Sequence, residues 1–109
     1  MNYRVQITSA ARQDLRLIAK AISEDCGMPQ TAKQYIYELK EVIDGLSLMP
    51  QKCRIYDVSQ DAGLTIRISS YKKYSIFFFV KEEDRVVIVF AILYSGMDLP
   101  AALENREKS

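Results

Sequence analysis

Residues 74–98 read YSIFFFVKEEDRVVIVFAILYSGMD, and this stretch decides the fold. Tyr74 to Val80 and Arg85 to Tyr94 are runs of aromatic and β-branched residues of strand length, with Glu82-Glu83-Asp84 as an acidic turn between them. So short a turn makes the two strands antiparallel. An antiparallel sheet with one wet face alternates apolar with polar residues, and these strands do not. Ile76, Phe78 and Val80 point one way, Phe77 and Phe79 the other, and RVVIVFAILY is apolar on both faces.

Upstream, Leu64 to Tyr71 alternates Leu64, Ile66 and Ile68 with Thr65, Arg67 and Ser69, a third strand joined through a Lys72-Lys73 turn. From Gln51 to Gly63 no period emerges, and Ser59, Asp61 and Gly63 mark a loop. At the amino end, Tyr3 to Thr8 reads as a strand, followed by a helix with Thr8 or Ser9 as its cap and Ala11, Leu15, Ile18, Ala19 and Ile22 as its stripe. Gly27 and Pro29 break it. A second stripe, Ala32, Tyr35, Ile36, Leu39, Val42, Ile43, Leu46 and Met49, predicts a helix ended by Pro50. Ser95-Gly96 ends the last strand, and Leu99 to Leu103 is expected to form a helical turn before a polar tail. The order is β-α-α-β-β-β. This is an α+β domain over residues 1–109, an antiparallel sheet packed against an N-terminal helical hairpin.

One helix pair covers one face of a sheet. The opposite face is covered either by the chain's own loop and C-terminal segment or by another chain laid into an apolar groove or along a sheet edge. The Phe77–Phe79 face points to the second, because each exposed Phe forgoes about 1.5–3 kcal/mol of burial.

Composition excludes several function classes. The chain has 109 residues, an apolar content of 49% and a net charge of +1. That charge excludes a strong electrostatic footprint on nucleic acid, although Lys52, Arg54, Arg67, Lys72 and Lys73 make residues 51–80 locally basic. No histidine is present, which removes Ser-His-Asp and Cys-His nucleophiles and His-containing metal sites. Cys26 and Cys53 stand alone, as expected of reduced thiols in a cytosolic protein; no cofactor and no metal are expected. The apolar run Val86–Tyr94 is too short to cross a membrane, and the first residues lack the apolar run of a signal peptide.

The sequence resembles the RelE/ParE toxin superfamily of type II toxin–antitoxin systems. In YRVQITSAARQDLRLIAKAI the residues Ala11, Asp14, Leu15 and Ile18 match its opening strand and helix, and Leu48-Met49-Pro50 matches the end of its second helix. Arg67, Tyr74, Phe78, Val80, Tyr94, Gly96 and Asp98 match its closing signature. The resemblance implies a growth-inhibiting cytoplasmic toxin, often a plasmid stabilisation element, held in a hetero-oligomer by a cognate antitoxin. Phe77 and Phe79 are then the candidate antitoxin contacts, and Arg54, Arg67, Lys72, Lys73 and Asp98 the candidate target or phosphate contacts. The long helical hairpin is similar to the ParE branch, whose members block DNA gyrase. RelE-branch relatives cleave mRNA on the ribosome without a metal, and here Arg67 and Tyr94 are the candidate catalytic residues. Ser75, Ala91 and Met97 stand where ribosome-dependent relatives carry arginine or another basic residue. These departures favour gyrase inhibition over RNA cleavage, and leave an inert homologue acting as a binding module as a further alternative.

Overall fold

The computed structural model describes residues 2–58 and 65–108, without the side chains of Cys26, Val58 and residues 104–108. It contains β1 (Arg4–Ile7), α1 (Ser9–Cys26), α2 (Pro29–Asp44), two short 3₁₀ turns (Gly45–Ser47 and Pro50–Lys52), β2 (Arg54–Val58), β3 (Thr65–Tyr71), β4 (Tyr74–Lys81), β5 (Val86–Tyr94) and α3 (Leu99–Lys108). The five strands lie in the order β1-β5-β4-β3-β2. All neighbours are antiparallel except β1 and β5, which run parallel with Arg4 opposite Val86 and Ile7 opposite Val89.

The helical hairpin forms where the stripes predict it. Thr8 caps α1 by accepting from Ala11 N at 3.2 Å. Gly27 closes the helix in the left-handed region at φ 61°, where its N–H reaches Ser23 O at 2.9 Å and a β-carbon would be strained. Pro29 then opens α2 at a position that needs no N–H. Leu15, Ile18, Leu39 and Ile43 pack with Ile76, Phe78, Val87, Val89 and Ile92 into the larger core.

Two elements before β3 differ from expectation. The aperiodic stretch after Pro50 contains β2, an edge strand whose register shifts between Ile55 and Asp57; that bulge erases the alternation that would have revealed it. The expected loop markers Ser59, Asp61 and Gly63, and Leu64 of the next strand, lie outside the described residues. Secondly, α2 ends at Asp44 rather than running to Pro50. Met49 therefore leaves the core stripe and stands exposed with a left-handed backbone, φ 50°.

The opposite face of the sheet carries a second core of Ile66, Ile68, Phe77, Ala91 and Leu103, with Tyr56, Phe90, Leu93 and Leu99 packed against it. The terminal segment is a helix rather than a single turn, and Leu99 and Leu103 bring it down over the strands. Phe77 is 0% exposed, with Tyr56 edge-on to its ring at 5.1 Å. The chain itself thus covers this part of the sheet, which corrects the expectation that Phe77 is open to a partner.

Candidate functional site

Strand register decides which candidate residues meet. Directly opposed residues share a face, so Arg67 and Phe78 lie together on the helix side, as do Tyr74 and Tyr94. Arg67 precedes Tyr71 by four residues, and Tyr71 is level with Tyr74 and Tyr94. Arg67 and Tyr94 are consequently separated by roughly 13 Å along the strands and two strand spacings across them. They do not form one reaction centre. Arg67 Nη1 instead donates to Gln51 O at 3.0 Å and Cys53 O at 2.7 Å, clamping the segment between Pro50 and β2.

At the other end of these strands the tyrosines form a ladder. Tyr71, Tyr35, Tyr74 and Tyr94 meet edge to face at successive centroid distances of 5.4, 6.0 and 6.1 Å. Lys72, in the left-handed backbone of the β3–β4 turn, holds its Nζ 5.1 Å from the Tyr35 ring centre and 5.3 Å from that of Tyr71. Burial, then the hydrogen bond to Glu38 at 2.8 Å, pushes the Tyr71 phenol up. Burial, with Tyr35 and Asp25 nearby, raises Tyr74. A hydrogen bond with Tyr71 raises Lys72. Near neutral pH these phenols are neutral donors and Lys72 is a cation, so none of the three serves as a base. Tyr94, 50% exposed, lies over Gly96, where a β-carbon would overlap its ring.

The remaining candidates separate likewise. Arg54 is exposed on the edge strand, while Lys73 is exposed at the β3–β4 turn. Asp98 begins α3, its Oδ1 accepting from Ala101 N at 3.3 Å and its carbonyl from Ala102 N at 3.0 Å. That is an N-cap, and it accounts for the aspartate without a ligand. Phe79 is half-buried, its ring 5.8 Å from that of Phe90 on the side of the sheet that carries α3.

Sequence reasoning missed a groove along the seam between α1 and α2. Two cavities of about 410 and 440 Å³ share Ala19, Ile36 and Lys40 in their walls. Leu15 and Ala32 add apolar lining; Arg12, Arg16 and Lys33 add cations, against Asp44 as the acid. Its signal lay on the helix flanks. Ala19 is small where a neighbouring helix approaches, and basic residues recur at Arg12, Arg16, Lys33 and Lys40. Among the described residues no group of His, Cys, Asp or Glu is arranged to hold a metal ion, and no helix is long and apolar enough to cross a membrane.

Two N-terminal helices with a five-stranded sheet are consistent with the RelE/ParE toxin fold. The sequence model for the ParE toxin of the type II toxin–antitoxin system parDE matches residues 5–99, and the chain belongs to that family. It is therefore a toxin component of a type II toxin–antitoxin system. Solved structures share the fold. One from the chromosomal ParDE toxin–antitoxin system of P. aeruginosa superposes with a TM-score of 0.69 at 19% identity, covering 84% of this chain and 95% of that one. A chain of the RelBE2 toxin–antitoxin complex of Mycobacterium tuberculosis gives 0.60 at 19% identity, covering 86% and 92%. A chain of the archaeal RelE–RelB complex of Pyrococcus horikoshii OT3 gives 0.54 at 17% identity, covering 88% and 98%. No curated protein sequence matches the chain.

Proposed function

We propose that this toxin is neutralised in the cytoplasm by a cognate antitoxin and, when free, inhibits DNA gyrase by binding rather than by chemistry of its own. The observation that carries this reading is the separation of Arg67 from Tyr94. RNA cleavage needs a group to activate the 2′-hydroxyl and cations beside the developing phosphorane charge. Here the arginine is committed to two backbone carbonyls at one end of the strands, while the exposed tyrosine stands at the other.

The antitoxin reading is supported by two surfaces. The groove between α1 and α2 has the apolar floor and basic rim that suit an acidic amphipathic helix. Phe79 and Phe90 present a second apolar contact at the margin of the α3-covered face. Phe77 joins that contact only if α3 moves aside. The solved relatives include toxin–antitoxin complexes, in keeping with such a partner.

The test is a supercoiling assay with purified toxin and gyrase. Inhibition at micromolar toxin, relieved by stoichiometric antitoxin, is the expected result. Unimpaired supercoiling combined with cleaved transcripts on translating ribosomes would replace this reading with ribosome-dependent RNA cleavage.

A further inference from the structure

We draw no further inference here: the strongest candidate, the groove along the seam of α1 and α2 with Ala19, Ile36 and Lys40 in its walls, belongs to the antitoxin surface already proposed and holds nothing that selects another occupant.

Discussion

Asp14 shows how one side chain completes a sheet. Strand β1 is paired with β5 only as far as Val89, so beyond that point β5 has no strand neighbour on its outer side among the described residues. Ile92, buried there, donates its N–H to Asp14 Oδ2 at 2.9 Å across a sequence separation of 78 residues. A carboxylate from α1 thereby stands in for the missing strand and fixes the helix over the sheet. An N–H left without an acceptor in such a place costs about 1–3 kcal/mol. Asp14→Ala is expected to lower unfolding stability by that amount in urea, whereas Asp14→Asn, which keeps an acceptor oxygen, loses less. Equal losses for the two substitutions would show that charge, not the hydrogen bond, matters. The family resemblance placed an aspartate at this position without a reason; the bond to Ile92 supplies one.

At the scale of elements, α3 packs on the sheet face opposite the helical hairpin. It is anchored by Leu99 and Leu103 and started by the Asp98 cap. Asp98→Ala should cost about 0.5–2 kcal/mol of helix stability. It should also raise amide exchange in β4 around Phe77 and in β5 around Ala91 before the helix-side core is affected. Uniform exchange across both cores would mean that α3 does not open separately. The history of these elements in the sequence differs. Both helices of the hairpin were legible because their apolar spacing runs unbroken and Gly27 and Pro29 punctuate it. Strands β3 to β5 were legible from length and β-branching. Strand β2 was hidden by its bulge, and the role of α3 was hidden because two leucines in a polar segment give little amphipathic signal. Spacing along the chain could not show that the candidates Arg67 and Tyr94 fall at opposite ends of the strands. Nor could it reveal the helical groove, which needs two helices side by side to exist.

For the whole molecule, a polar knot gathers distant segments. Tyr3 Oη donates to Glu82 Oε2 at 2.7 Å, Gln51 donates to both, and the guanidinium of Arg85 lies 5.4 Å from the centre of the Tyr3 ring. The hydrogen bonds from Tyr3 and then Gln51 hold the Glu82 carboxyl below its ordinary value of 4.5. A carboxyl depressed in the folded state contributes stability above its unfolded pKa and loses it as pH falls through the folded value. The difference in thermal midpoint between wild type and Glu82→Gln should therefore be steady at neutral pH and shrink below about pH 4. A difference that persists unchanged into strong acid would refute this role. The parallel pairing of β1 with β5 has a further consequence, in the time course of synthesis. Residues 4–7 are made long before their partners at 86–89, so this edge of the sheet closes only once β5 has been made. A nascent chain that has made both helices still lacks the strand against which β1 pairs.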